Sequence, residues 1–295
     1  MSSLGDNIKV HFAGSDNDMT AYAGLMTAGV KYNLYSCYPF IVSKKEDDDF
    51  EMRERIKPLK QNQSYMNHII QDSGLFTLMF GSKKGEVQTK ESLTIWQNKL
   101  IQFVKQNKLD CTCVEIDCQK VLGVKEAWYF RERMRNLLPN KQINVFHLED
   151  GLDGLDELID FSEYIAFSIP ELRIARPKTF RQLTRKLVTH TKNRKPGIDI
   201  HLLGCTDKVM LQQNTECTSS DSTSWISGLR YGTICGKHIS TVKKQFMQEC
   251  RQDTIKTYKK LNIDYNEKEI ERATNFTCCA RIQRDRYEKL AGNQN

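Results

Sequence analysis

The stretch Ile69-Ile70-Gln71-Asp72-Ser73-Gly74-Leu75-Phe76 contains an apolar run that ends abruptly in an acid, a small hydroxyl residue and a glycine. A strand that carries a carboxylate at its end, just before a glycine turn, places that carboxylate where a ligand can reach it. The alternative is an ordinary Asx-type turn after a strand, because Asp-Ser-Gly is common turn chemistry. The rest of the chain is needed to choose between the two.

Strand-like runs recur along the chain and alternate with helical or loop segments. This alternation predicts a parallel sheet, and eight such units predict a closed (β/α)₈ barrel of the TIM type. An open doubly wound sheet is the alternative, but no Gly-x-Gly-x-x-Gly follows the first run, so a dinucleotide-binding fold is not indicated. The predicted strands are Ile8–Phe12, Tyr32–Tyr38, His68–Gln71, Cys111–Ile116, Ile143–Phe146, Tyr164–Phe167, Ile198–Leu203 and Glu216–Ser219.

The length and the last part of the chain suggest how the barrel is completed. A chain of 295 residues is long enough for such a barrel as one domain. From residue 238 onward there is no proline, and the segment is typical of two or three helices. We therefore predict a catalytic barrel over residues 1–237 and a helical extension, packed on the barrel, over residues 238–295.

Composition limits the partners and the compartment. Lys and Arg (44) exceed Asp and Glu (37), and the net charge of +7 suits an anionic partner without establishing one. No apolar run approaches the length of a membrane span, and Met1–Asp6 lacks the basic and apolar regions of a signal peptide. We expect a cytoplasmic protein whose ten cysteines are thiols rather than disulfides.

The predicted strands tend to finish on residues that can contact a ligand. In a barrel these ends meet at one rim, where enzymes of this fold place their chemistry. A single aspartate could simply cap the next helix, and a single histidine could be structural. Three acids and a histidine on one rim are costly unless a polar ligand pairs with them. These strand-end residues are Asp72, Asp117, His147, Ser168, Gly204 and Asp221.

Several of these segments resemble motifs of the tRNA-guanine transglycosylase superfamily. Asp72-Ser73-Gly74-Leu75-Phe76 is similar to the family's Asp-Ser-Gly-Gly-(Phe/Tyr)-Gln motif. Asp117-Cys118, His201-Leu202-Leu203-Gly204 and Ser220-Asp221-Ser222 follow in the order and rough spacing of later motifs. The segments 221–225 and 228–232 most resemble the branch that modifies DNA in phages and bacterial islands. Members of that branch exchange guanine in DNA for a 7-deazaguanine such as preQ0.

The resemblance implies a role for each matched residue. Asp221 would be the nucleophile that holds the sugar as a covalent ester, and Asp72 the general acid and base. Phe76 would stack on the base, and Asp117 would accept hydrogen bonds from its N–H edge. The chemistry needs no cofactor, its substrates are DNA and the free 7-deazaguanine base, and the family implies a homodimer. The remaining residues expected around the base are Ser73, His147, Ser168 and Gly204.

The chain departs from the family pattern in four respects. Leu75 replaces the second glycine, and Phe167-Ser168-Ile169 stands where the family has Gly-Gly-Leu, so the pocket shape differs. His147 stands where the family usually has a Gln-Gly pair. The zinc pattern of the bacterial tRNA enzymes is missing, and adjacent cysteines rarely chelate one ion together. Helix-packing thiols are the alternative for the weak zinc candidates, which are Cys235, His238, Cys278 and Cys279.

The segment between Leu172 and Ile198 contains no acidic residue. A helix face that carries only positive charges is a candidate binding surface for the phosphates of a nucleic acid. The alternative is a basic helix that is merely solvent-exposed. A duplex substrate would require the target nucleotide to be flipped out, and Trp225 or Tyr231 could fill the gap or belong to the core. The residues predicted to contact nucleic acid are Arg173, Arg176, Arg181, Arg185, Lys186 and Arg230.

Three other functions stay open at this stage. The same base exchange could act on tRNA, although the missing zinc pattern and the absence of an obvious RNA-binding domain at the C-terminus argue against it. A catalytically silent nucleic-acid-binding barrel is disfavoured by the presence of both Asp72 and Asp221, but Leu75 and His147 leave it open. A barrel hydrolase for a small phosphorylated or sugar substrate would not need the acid-free basic segment.

Overall fold

The computed structural model describes residues 8–16, 18–42, 56–57, 59–61, 63–75, 87–234 and 237–292. Two residues singled out from the sequence, Phe76 and Cys235, lie outside these ranges. Their predicted roles therefore stay predictions.

Eight parallel strands close into a barrel in the order in which they occur along the chain, with helices on the outside. This confirms the predicted (β/α)₈ fold. Because all the strands run in the same direction, their carboxyl ends meet at one rim. The strands are β1 (Lys9–Ala13), β2 (Tyr32–Ser36), β3 (His68–Asp72), β4 (Thr112–Val114), β5 (Gln142–Phe146), β6 (Tyr164–Ser168), β7 (Asp199–Leu203) and β8 (Ser219–Ser222).

The eighth strand corrects the sequence prediction. The apolar pattern placed it at Glu216–Ser219, whereas β8 covers Ser219–Ser222, so that Asp221 lies within the strand and not after it. A run of serines and an aspartate has low intrinsic strand propensity. Backbone pairing with its two neighbours holds β8 in the strand conformation. Asp221 lies opposite His11 of β1, and Ser219 lies opposite His201 of β7.

Helices connect the strands, and capping residues near each end help to determine where a helix begins. The first helix begins at Met19, because Oδ1 of Asp18 accepts hydrogen bonds from the N–H groups of Thr20 and Ala21. The helices of the barrel are α1 (Met19–Thr27), α2 (Tyr38–Ile41), α3 (Lys90–Gln106), α4 (Gln119–Leu122), α5 (Val124–Leu137), α6 (Gly151–Phe161), α7 (Ile169–Ala175), α8 (Phe180–Arg194), α9 (Lys208–Gln213) and α10 (Ser227–Tyr231).

The barrel interior has an apolar layer beneath the rim. Leu34, Ile70, Val114, Val145 and Ala166 come from five different strands and pack into one buried cluster. Side chains alternate along a strand, so a residue two positions beyond one of these faces the same side. Asp72 is two residues beyond Ile70 and therefore stands directly above this layer.

The C-terminal segment contains two long helices, α11 (Lys244–Leu261) and α12 (Glu267–Gly292). Helix α12 packs tightly on α1, since a Cβ added at Gly24 would lie 2.5 Å from Cβ of Phe276. A short antiparallel pair, β9 (Thr233–Ile234) with β10 (Lys237–His238), spans the predicted boundary at residue 237. The extension thus starts from a strand pair and not from a free linker.

The cysteines in the described part of the chain are buried free thiols, as expected from the sequence. Most lie in strands or in helix interfaces, where cysteine behaves as a small apolar residue. Among the described helices, none is both long and apolar enough to cross a bilayer.

Candidate active site at the carboxyl-terminal rim

Asp72 ends β3 and faces the rim. Its Oδ2 atom accepts a hydrogen bond from the backbone N–H of Gly74 at 2.7 Å. Gly74 has φ +72°, and a Cβ there would lie 2.9 Å from the backbone nitrogen of Tyr38, so only glycine fits this turn. The carbonyl of Ser73 accepts a hydrogen bond from Nε1 of Trp96 at 2.8 Å, which anchors the turn from below. The Asp-Ser-Gly motif is therefore a rigid support for one carboxylate.

The environment of Asp72 favours its protonated form. Burial is the main cause, and the charges of Asp221, Asp16 and Asp117 act in the same direction. The hydrogen bond from Gly74 opposes them but does not compensate. Together they raise the pKa of Asp72 to about 6. A carboxyl group with this pKa can both donate and accept a proton near neutral pH.

Asp221 in β8 is held by two donors. Its Oδ1 atom accepts hydrogen bonds from the backbone N–H of Gly204 at 2.8 Å and from Nε2 of His201 at 3.1 Å. No described residue donates to Oδ2. The side chain is 13% exposed, so one oxygen is fixed by the protein and the other is open to a ligand.

A buried hydrogen-bonded chain fixes the ring of His201. The Nδ1 atom of His201 lies 2.5 Å from Oγ of Ser219, and this hydroxyl lies 2.5 Å from the phenol oxygen of Tyr164. An ionised Asp221 can only accept, so we assign the ring proton to Nε2 of His201. Nδ1 then accepts from Ser219, and Ser219 accepts from Tyr164. The chain orients the imidazole of His201 so that Nε2 faces Oδ1 of Asp221.

A second chain of charged groups crosses the rim after β4, β5 and β6. The Nε2 atom of His147 lies 2.7 Å from Oδ1 of Asp117, and its Nδ1 atom lies 3.5 Å from Oε2 of Glu171. Oε1 of Glu171 in turn pairs with Nζ of Lys120 at 2.8 Å. Burial alone would lower the pKa of His147, but the two carboxylates raise it to about 10. His147 therefore contacts protein carboxylates on both sides.

Below this chain a buried ion pair joins β4, β5 and α5. Nε of Arg131 donates to Oε2 of Glu115 at 2.7 Å, and its Nη2 atom donates to the carbonyl of Val145 at 3.0 Å. Oε1 of Glu115 accepts from the backbone N–H of Val145 at 3.0 Å. The side chains of Arg131 and Glu115 are 2% and 1% exposed. This pair fixes the strand ends that lead into Asp117 and His147.

Ser168 and Gly204 determine the course of the backbone at the rim. Oγ of Ser168 accepts from the backbone N–H of Glu171 and caps helix α7. Gly204 has φ +62°, and a Cβ there would lie 2.9 Å from Cγ of Pro170. Gly204 thus allows the β6 and β7 loops to approach each other and presents its N–H to Asp221.

The basic segment is partly neutralised by other elements. Nη2 of Arg181 lies 2.6 Å from Oδ2 of Asp207, and Arg185 is paired with Glu216. The segment between Leu172 and Ile198 has no acids of its own, but both of these partners lie in the connection between β7 and β8. In the described part of the chain, Arg173, Arg176 and Lys186 are exposed and have no ion pair with a carboxylate.

The segment after β8 combines a core aromatic with exposed groups. Trp225 is 1% exposed, and its Nε1 atom donates to the carbonyl of Ala13 at 2.7 Å, so it belongs to the core and does not fill a gap in a duplex. Tyr231 is 75% exposed. Arg230 lines a cavity of 460 Å³ between the β1 and β8 loops and helix α12.

The zinc candidates do not form a site among the described residues. Cys278 and Cys279 are buried in α12, and Nδ1 of His238 lies 2.7 Å from Oγ of Ser240. Within the described ranges, the ligand atoms close enough to share one ion belong to a different group, His147, Glu149 and Glu171.

Three rim residues were not assigned a role from the sequence: Asp16, His201 and Glu171. Asp16 follows β1, and Glu171 lies in the first turn of α7, so both are acids next to a strand end, which was the available signal. His201 was visible as a histidine inside an otherwise apolar strand. Its function depends on Ser219 and Asp221 in the neighbouring strand, which no local pattern reveals.

The fold and the rim together define a (β/α)₈-barrel protein with a carboxyl group of raised pKa and a second, hydrogen-bonded carboxylate at its mouth. No protein-family model matches the sequence, and a search of curated proteins finds no significant match. The functional interpretation therefore depends on the short motifs and on the geometry of the site.

Proposed function

We propose that the protein is a transglycosylase that exchanges guanine in DNA for a 7-deazaguanine base such as preQ0. The observation that carries the proposal is the pair of aspartates at the rim. Asp72 has a pKa raised to about 6, while Asp221 is fixed through Oδ1 and open at Oδ2. Two carboxyl groups in such different environments suit an acid–base role for one and a nucleophilic role for the other.

The exchange divides into two displacements at the anomeric carbon. In the first, Oδ2 of Asp221 bonds to C1′ of the target nucleoside, the glycosidic bond to N9 breaks, and guanine leaves with a proton from Asp72. In the second, Asp72 removes the N9 proton of the incoming 7-deazaguanine. Its N9 atom then bonds to C1′, and the carboxylate of Asp221 is released. The glycosidic bond is conserved, so no nucleoside triphosphate is needed.

The rim residues around the two aspartates support binding of a planar base. The second oxygen of Asp117 is available to the N–H edge of a purine, because His147 contacts Oδ1. Gly204 keeps the rim narrow beside Asp221. Arg173 in α7 and Arg176, directly after α7, are exposed, and their positive charges suit contact with phosphates.

The decisive experiment uses purified protein, duplex DNA with labelled guanine, and preQ0. Guanine release and incorporation of preQ0 are followed by mass spectrometry, with tRNA as a parallel substrate. We expect incorporation into DNA that is lost in Asp221→Asn. Asp110→Asn is the matched control, because Asp110 is an exposed aspartate that precedes β4 at the opposite end of the barrel.

Each outcome has a defined meaning. Incorporation by the wild type and by Asp110→Asn but not by Asp221→Asn supports both the reaction and its nucleophile. Incorporation into tRNA alone would assign the protein to the RNA-modifying reaction instead. Absence of exchange on both polymers at low salt, with folded protein, would overturn the proposal.

A further inference from the structure

We propose that His147, Glu149 and Glu171 form a binding site for one divalent transition-metal ion, with Zn²⁺ and Mn²⁺ as the fitting ions. The site lies at the rim between the ends of β5 and β6, whereas Asp72 and Asp221 belong to β3 and β8. It is distinct from the cysteine and histidine candidates of the C-terminal segment. The inference does not depend on the base-exchange reaction.

His147 has the surroundings of a metal ligand. Its side chain is 3% exposed, and its Nδ1 atom makes no hydrogen bond among the described residues, where its contact with Oε2 of Glu171 is 3.5 Å long. The other ring nitrogen, Nε2, lies 2.7 Å from Oδ1 of Asp117. Histidines that bind metals characteristically donate from the second nitrogen to a carboxylate, which fixes the ring and makes it a better ligand. Asp117 supplies this support, and Nδ1 is directed at the two glutamates.

The separations of the ligand atoms fit a single ion. Nδ1 of His147 lies 3.5 Å from Oε2 of Glu171. Two ligands of a tetrahedral zinc ion with ordinary bond lengths are about 3.4 Å apart. One atom from each of His147, Glu149 and Glu171 lies within 4.8 Å of the others. Glu149 is exposed, so its side chain is free to close the remaining gap.

Charge and donor chemistry determine the class of ion. Lys120 pairs with Oε1 of Glu171, which leaves Oε2 directed at His147. One imidazole nitrogen with two carboxylate oxygens suits Zn²⁺ or Mn²⁺ better than Ca²⁺, which prefers oxygen ligands alone. Binding displaces the proton from Nδ1 of His147, because metal and proton use the same lone pair. Three protein ligands leave a position for water or for a phosphate oxygen.

The test measures metal binding by the full chain without nucleic acid or base. The protein is treated with EDTA, dialysed and titrated with Zn²⁺ by calorimetry and with Mn²⁺ by electron paramagnetic resonance. We expect one saturable site for each ion, with the dissociation constant raised at least tenfold in Glu149→Gln. Glu157→Gln is the matched control, because Glu157 is an exposed glutamate of α6 outside the group. Its affinity should equal that of the wild type.

A second measurement distinguishes zinc bound at this site from zinc bound by cysteines elsewhere in the protein. X-ray absorption of the zinc-loaded protein should show nitrogen and oxygen ligands at about 2.0–2.2 Å and no sulfur at about 2.3 Å. Sulfur ligation, equal affinity in Glu149→Gln and wild type, or no saturable binding of either ion would overturn the proposal. None of these results would bear on base exchange, since the Asp221 experiment is scored separately.

Discussion

Nε2 of His201 lies 3.1 Å from Oδ1 of Asp221, and both residues belong to neighbouring strands of the barrel wall. His201 is fully buried, and its other nitrogen contacts Ser219 at 2.5 Å. A ring held at both nitrogens has one orientation and one tautomer. His201 therefore fixes the angle of the Asp221 carboxylate, and in the proposed reaction it is a positioning residue that does not touch the substrate.

The first prediction concerns this positioning. In His201→Asn the shorter side chain cannot reach both partners, and a small displacement of a nucleophile costs about 10²-fold in rate. We expect kcat for base exchange to fall by about this factor while KM for DNA changes little. Steady-state kinetics check the split between the two constants. Ser219→Ala, which removes only the contact to Nδ1, should give a smaller loss, and an equal rise in KM for both variants would contradict the assignment.

The second prediction concerns the protonation of Asp72. The pKa of its carboxyl group is raised from 3.8 to about 6 on folding. Between these values the unfolded chain loses the proton first, so ionisation of Asp72 destabilises the fold as the pH rises. The difference of about two pKa units corresponds to about 3 kcal/mol at most. We expect Asp72→Asn to increase the free energy of unfolding at pH 7.5, by urea denaturation, while abolishing exchange.

The pH dependence of the free energy of unfolding distinguishes an effect of Asp72 ionisation from a change in side-chain packing. The gain from Asp72→Asn should shrink as the pH falls from 7.5 towards 4, because the wild-type carboxyl group then becomes protonated in the folded state. The amide oxygen that this substitution introduces can still accept from the N–H of Gly74, so local structure is retained. A gain that does not vary with pH would show that ionisation is not its cause. Asp110→Asn should change the stability little at either pH.

Patterns within single segments predicted the barrel and the positions of Asp72 and Asp117 at the ends of its strands. Asp72 ends β3 as expected, because an apolar run favours a buried strand and Asp-Ser-Gly favours a turn after it. Asp117, His147 and Gly204 lie at the rim for the same reason. The periodicity of strands and helices is a local property, and it is sufficient to define a closed parallel barrel.

Features that depend on two distant segments could not be predicted in this way. The polar strand β8 is specified by pairing with β1 and β7, and its intrinsic propensity gave no signal. The carboxylates that neutralise Arg181 and Arg185 lie on other elements. Trp225 is a core residue because Ala13, at the end of β1, offers a carbonyl to its indole. Each of these contacts requires knowledge of which chain ends meet.

The third prediction concerns the buried pair of Arg131 and Glu115. Removing one partner leaves an uncompensated charge in the interior, which typically costs 3–5 kcal/mol. We expect Arg131→Met to lower the free energy of unfolding by about this amount in urea denaturation. The exposed pair of Arg251 and Glu267 provides the control, and Arg251→Ala should cost less than about 1 kcal/mol. Similar costs for the two variants would contradict the role given to burial.

The fourth prediction concerns the contact with nucleic acid. Arg173 and Arg176 are exposed and have no ion pair with a carboxylate among the described residues, whereas Arg185 is already paired with Glu216. Each phosphate contact contributes about −0.9 to the slope of log K against log salt for duplex DNA. We expect the double variant Arg173→Gln, Arg176→Gln to reduce the magnitude of the slope by about 1 to 2, measured by fluorescence anisotropy between 50 and 200 mM salt, the range over which such slopes are commonly compared.

Arg185→Gln serves as the matched control for this measurement. It removes the same charge from the same basic segment, but its guanidinium must leave Glu216 before it can reach a phosphate. Its effect on the slope should therefore be clearly smaller than half that of the double variant. If Arg185→Gln has the larger effect, the ion pair opens on binding and the binding surface for phosphates runs along α8. If no variant changes the slope, nucleic acid does not contact this face, and the phosphate contacts belong to another part of the rim.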